Sequence, residues 1–179
     1  MITLIIGTNR PNSNSAKVAR TLLKIYQELG CPVETIDLLD LPEGLFSPSA
    51  YENPPVAFQP IVDKVLTTAG LHIITPEYNG GFPGVLKFFI DRLPFPESFE
   101  KRPVAFVGLA AGRWGGMRPV EQLQQVFSYR NAFIYPERVF LPSVHELLNE
   151  NGAVSDPDIA NFLQKQVEGF ILFVRSLKS

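Results

Sequence analysis

Five short apolar runs alternate with five segments of helical periodicity along this chain, and that alternation leaves few folds open. The runs lie at residues 1–6, 32–38, 71–75 and 103–109, with a fifth somewhere within 132–141. The third is apolar on both faces, as a central strand of a parallel sheet must be. Between the first two, Val18, Leu22, Leu23, Ile25, Tyr26 and Leu29 recur at helical spacing until Gly30 ends the pattern. Further helices are predicted near 58–68, 84–93, 119–129 and 158–177. Strand and helix repeated in this way give an α/β, doubly wound sandwich with a five-stranded parallel sheet between two helical layers. Five strands favour the order 2-1-3-4-5, with a ligand crevice beyond the carboxyl ends, where strands 1 and 3 part.

Bulk properties narrow the function. A chain of 179 residues fits one domain, residues 1–179. A net charge of −2 carries no basic excess, which argues against a nucleic-acid partner. The apolar run 170–174 is too short to cross a bilayer and no charged-then-apolar leader opens the chain, so no membrane role and a cytoplasmic location are expected. One cysteine, Cys31, excludes an internal disulfide and a cysteine-ligated metal, and no metal site is expected. His72, inside an apolar strand, reads as a core histidine; His145 reads as exposed. The helix at 84–93 carries Val85, Leu86, Phe88, Phe89, Ile90 and Leu93 all round, so something besides one sheet must cover it. Either the chain's own core or a partner subunit would serve. The polar, proline-rich excursion at 40–55 is long enough to be functional or mobile.

Three loops at one end of the sheet carry unusual chemistry. The first links strand to helix and holds Thr8, Arg10, Asn12, Ser13, Asn14 and Ser15. Free N–H groups and the dipole at a helix start attract an anion, hydroxyls donate to phosphate oxygens, and a guanidinium binds two of them. A helix cap alone would use one such residue. This is no nucleotide P-loop, since Gly-Lys-Ser/Thr and G-x-G-x-x-G are both absent. The second loop, Pro76, Glu77, Tyr78, Asn79, Gly80, Gly81, Phe82, Pro83 and Gly84, packs three glycines and two prolines into nine residues. Glycines let backbone approach a flat ligand, although Asn79-Gly80 alone would mean only a tight turn. The third loop repeats the device: Ala111, Gly112, Gly115 and Gly116 offer backbone donors around Arg113 and Trp114. Arg113 is a candidate for a second anionic ligand.

The segment from Gly7 to Ser15 and the run from Pro76 to Lys87 resemble the two signatures of the NAD(P)H-dependent FMN reductase family, which includes azoreductase-like, chromate-reducing and quinone-reducing members. The likeness extends over most of the chain. It implies a flavodoxin-like fold, bound FMN, NADPH or NADH as co-substrate, and a homodimer or homotetramer with the flavin near the subunit interface. It assigns the FMN phosphate to Thr8, Arg10, Ser13 and Ser15, with Asn14 beside them. Pro76, Glu77, Tyr78, Asn79 and Gly80 would follow the isoalloxazine, and Ala111 and Gly112 its other polar edge. Gly81 stands where the family often has serine, and Phe88-Phe89 replaces a polar-small pair.

The expected activity is hydride transfer from the nicotinamide, through FMN, to a small-molecule acceptor such as free flavin, a quinone, an azo compound or a metal oxyanion. Hydride transfer needs no side-chain acid or base, so no catalytic side chain is nominated. The rival reading is a non-enzymatic flavodoxin-type electron carrier, which would want an acidic docking surface that −2 barely provides. A phosphorelay receiver fails, because Gly7-Thr8 and Thr75-Pro76 stand where its acidic residues belong.

Overall fold

A computed structural model describes residues 1–177; the domain expected over 1–179 runs two residues beyond them. Strands β1 (Ile2–Ile6), β2 (Val33–Asp37), β3 (Gly70–Pro76), β4 (Pro103–Leu109) and β5 (Phe133–Leu141) form one sheet in the order β2-β1-β3-β4-β5. Every neighbouring pair is parallel, with Ile5 of β1 opposite Ile36 and Ile73. The order matches the expectation, and the five helices fall within a few residues of their expected places.

Helices α1 (Asn14–Glu28) and α5 (Pro157–Ser176) cover one face of the sheet, while α2 (Gln59–Thr67), α3 (Gly84–Arg92) and α4 (Met117–Tyr129) cover the other. β1, β3 and β4 are buried along their whole length, so successive side chains feed opposite layers. Ile2, Leu4 and Ile6 pack with Val18, Leu22 and Phe170. Ile5, Leu71 and Ile73 pack on the other side with Leu86, Phe89 and Phe127. The second layer is aromatic at its centre, where Phe127 meets Phe99 and Phe106 edge-on at 5.0 and 5.5 Å.

One expectation needs correction. α3 is not apolar all round: Lys87 and Asp91 form an exposed ion pair at 2.7 Å, one turn apart. Its half-buried Phe88 is stacked on Phe46 at 4.8 Å, so the chain supplies part of the cover itself. Phe46 belongs to the excursion after β2, which folds into four short 3₁₀ turns (Leu38–Asp40, Glu43–Phe46, Pro48–Tyr51, Val56–Phe58). That excursion is anchored: Leu41, Leu45, Ala50 and Phe58 are buried, and Arg92 donates to the Ala50 carbonyl while lying 4.0 Å over the Tyr51 ring.

Polar order inside the α1–α5 layer begins with an irregularity. The β4–β5 register shifts between Val104 and Phe106, a bulge that interrupts the ladder. Gln166 of α5 reaches in, and its amide nitrogen donates to the carbonyls of Phe106 and Glu137, both at 2.9 Å. His72 lies in the same layer, wholly buried, with Nδ1 2.9 Å from the Tyr26 hydroxyl. Burial lowers its pKa to about 4, and the Gln166 side chain only partly opposes that. His72 is therefore a neutral core histidine, as its sequence context implied.

Candidate functional site

Gly7 sets the first loop. Its N–H donates to the Ile74 carbonyl at 2.8 Å, and a Cβ at this position would lie 2.7 Å from the same oxygen. Only glycine lets the chain leave β1 so close to β3. The loop returns through Asn12, at φ 53°, to Ser13, whose Oγ accepts the Ala16 N–H at 3.1 Å and caps α1. No acidic residue stands in the first turn of α1 to offset its dipole. Among the described residues, the N–H groups of Asn14 and Ser15 have no acceptor. The Ser15 hydroxyl is buried and has no hydrogen-bond partner either.

The second loop is a locked turn. Tyr78 and Gly81 exchange two backbone hydrogen bonds, at 2.8 and 3.0 Å, around Asn79 and Gly80 at φ 51° and 78°. Positive φ at both central residues makes this the tight turn that Asn-Gly favours. Its tip faces Gln122 of α4, which donates to the Gly80 carbonyl at 3.3 Å. The Tyr78 hydroxyl meets Thr8 Oγ1 at 2.9 Å, tying the first loop to the second. Glu77 pairs with Arg118 at 3.1 Å through Oε1, whereas its Oε2 is buried without a partner.

The third loop spends its glycines on the scaffold. A Cβ on Gly108 would lie 2.5 Å from the Gly116 carbonyl, and one on Gly115 would lie 2.8 Å from the Pro142 nitrogen. The loop is thus wedged between β4 and the chain after β5. That following segment contributes a wall of its own: the Val144 N–H donates to the Ala110 carbonyl at 3.0 Å, which brings His145 over the same opening.

Together these loops enclose a cavity of about 600 Å³ at the carboxyl ends of β1, β3 and β4, within the usual range for a small-molecule site. Of the residues expected at a ligand, Arg10, Ser13, Asn14, Ser15, Pro76, Glu77, Tyr78 and Ala111 line it. Thr8, Asn79, Gly80 and Gly112 do not. Thr8 is held behind the wall by Tyr78 and by the Arg10 N–H at 3.3 Å, and Asn79-Gly80 form the outer turn. Gly112 is exposed and accepts from Gly115 and Ser143. Sequence reasoning missed Leu109, Val144 and His145. The long irregular stretch after residue 141 was the one signal for Val144 and His145; Leu109 is the last residue of β4. A second groove of about 580 Å³, beside Tyr51 and Arg92, is lined by α2, α3 and the segments around them, and by none of these carboxyl-end loops.

The cavity therefore offers a guanidinium, unengaged N–H groups and an unpaired buried hydroxyl at one helix start. Beside them stand two loops fixed by their own hydrogen bonds. This donor set is chemically suited to an anion, and the cavity leaves room for a group attached to one.

Comparisons with known proteins agree with this chemistry. The pattern of the NADPH-dependent FMN reductase family matches residues 1–146. The chain is 28% identical to an NAD(P)H-dependent FMN reductase of Pseudomonas aeruginosa over 156 residues, 83% of this chain and 82% of that protein. It is 27% identical to a quinone reductase of Escherichia coli over 182 residues, 99% and 96% of the two chains. In fold it resembles FerB, a flavoenzyme NAD(P)H:(acceptor) oxidoreductase of Paracoccus denitrificans, with a TM-score of 0.81 at 23% identity over 98% and 97% of the chains.

Proposed function

The chain belongs to the NADPH-dependent FMN reductase family, and on that premise we propose that the cavity above β1, β3 and β4 is its FMN site. The protein is an NAD(P)H-dependent oxidoreductase that uses FMN. Two-electron transfer, hydride uptake from the nicotinamide and delivery to an acceptor, is the chemistry FMN supplies when bound. Quinones and free flavins are the acceptor classes that its relatives favour for this chain; azo compounds and metal oxyanions are further candidates. The electron-carrier alternative is not favoured by relatives that are reductases.

One observation carries the placement. Ser15 Oγ is buried and unbonded beside the cavity, at a helix start whose N–H groups lack acceptors. A polar atom left unsatisfied in this way costs stability unless a ligand completes it. A phosphate does so, with Ser13, Asn14 and Arg10 adding donors and charge. Pro76, Glu77 and Tyr78 then follow the ring along one side, and the backbone at Ala110 and Ala111 meets its other polar edge. The side chains bind and orient; none has to move a proton for hydride transfer.

The half-covered α3 face, with Phe46 and Tyr51 exposed beside it, supports a homodimer or homotetramer. Dependence on NAD(P)H and a lone free thiol at Cys31 support work in the cytoplasm. The purified protein should be yellow, and anaerobic NADPH should bleach its visible bands in proportion to bound FMN. A colourless protein that takes up no FMN would sink the reading. Elution at the monomer volume in size-exclusion chromatography would remove the oligomer from it.

A further inference from the structure

Trp114 and Arg113 take no part in the cavity wall or in either hydrophobic layer. Trp114 is nonetheless held in a fixed place. The next two residues, Gly115 and Gly116, are wedged against the ends of β4 and β5, and its carbonyl accepts the Met117 N–H at 3.0 Å. The indole on this rigid loop is 45% exposed, and the groups over its ring are charged side chains rather than core. Two guanidiniums flank it, Arg113 at 4.8 Å and Arg118 at 5.8 Å from the ring. They differ in what else they do. Arg118 is paired with Glu77 of the cavity wall at 3.1 Å, so the indole lies one arginine away from the proposed FMN site. Arg113 makes no hydrogen bond or ion pair among the described residues; its only contact with a partner is the indole.

We infer that this pair receives the 2′-phosphoadenosine end of NADPH, the Arg113 guanidinium leaving the indole to hold the 2′-phosphate and adenine taking its place on Trp114. The inference rests on the FMN reading above and adds the co-substrate's docking point and its selectivity. Stacking on an indole does not distinguish the two coenzymes, because both carry adenine. The guanidinium does, since its planar fork suits a phosphate that NADH lacks. A charge-assisted contact of this kind corresponds to about tenfold or more in affinity.

The test titrates the FMN-loaded protein with 2′,5′-ADP and with 5′-AMP by calorimetry. Emission of Trp114, the one tryptophan in the chain, gives a second readout. The wild type should bind 2′,5′-ADP about tenfold more tightly than 5′-AMP, with a change in Trp114 emission. Arg113→Ala should erase the difference and leave 5′-AMP binding unchanged; Arg113→Lys should restore part of it. Trp114→Leu should weaken both ligands together. In turnover, Arg113→Ala should raise the KM for NADPH alone. Equal binding of the two nucleotides by the wild type, or equal losses of both in Arg113→Ala, would overturn the inference while the flavin spectrum upholds the FMN site. A preparation that takes up no FMN overturns both.

Discussion

Two groups on the buried face of α1 share a helix but meet opposite fates. Ser15 opens the helix and Tyr26 nearly closes it, eleven residues or about three turns apart, and both are almost fully buried. The Tyr26 hydroxyl is engaged by His72, and burial drives its own pKa well up, so it stays neutral. Gln166 on the far side ties the same layer to the β4–β5 bulge. The Ser15 hydroxyl has no partner. Nε2 of His72 and Oε1 of Gln166 are also buried without a partner, but they lie inside the packed layer, whereas Ser15 lines a cavity large enough for a ligand to reach its hydroxyl. The hydroxyl at one end of α1 is engaged within the core, and the hydroxyl at the other stands open to the cavity.

Substitutions can break that contrast. The largest effect should come from Phe170→Ala, which empties the space against His72 and Tyr135; a loss of about 3–5 kcal/mol in urea unfolding is expected. Wild-type stability should also depend on pH through His72. Its folded pKa of about 4 lies below the ordinary 6.5, so the unfolded chain binds more protons between those values. The full contribution is present above pH 6.5 and about 3 kcal/mol is lost as pH falls towards 4. Unfolding curves at several pH values should show this slope, and His72→Gln should flatten it. Next comes Tyr26→Phe, which strands Nδ1 of His72 and should cost about 1–3 kcal/mol with FMN affinity untouched.

The smallest effect on stability should belong to Ser15→Ala, which removes an atom that has no partner to lose. The FMN-free protein should unfold within about 0.5 kcal/mol of wild type, or slightly later, while FMN binding weakens about tenfold. Flavin fluorescence titration measures the second half. A Ser15→Ala protein that is clearly destabilised yet binds FMN normally would reverse the roles assigned to the two ends of α1.

Much of this was legible before any coordinates. Strands with a largely apolar text, such as Ile2–Ile6 and Pro103–Leu109, announce a buried parallel sheet, and the spacing of Val18, Leu22 and Tyr26 announces the helix laid on it. The polar loop that lines the cavity was legible because its polar residues are consecutive. The roles of single glycines were not. Gly80 serves a turn and Gly115 and Gly116 a backbone crossing, yet all three read like hinges for a flat ligand. The polar stripe of α3 was overlooked because Lys87 and Asp91 meet only once the helix is wound. Val144 and His145 reach the cavity because the chain just past β5 turns to bond Ala110, a contact between distant parts of the sequence that the irregular stretch there only hints at. Thr8 was expected at the ligand; its bond to Tyr78, between residues 70 positions apart, is a tie between the loops that no local pattern announces.

The bulge beside β5 bears on how the molecule behaves in a crowded solution. β5 is an outer strand nine residues long, the kind of border along which another chain's strand can add and begin a fibre. Pro136 has no N–H to offer such a visitor, Glu137 and Arg138 are exposed beside it, and the shifted register breaks the regular ladder there. The residues that give Gln166 its carbonyl partner thus also keep the sheet from growing sideways.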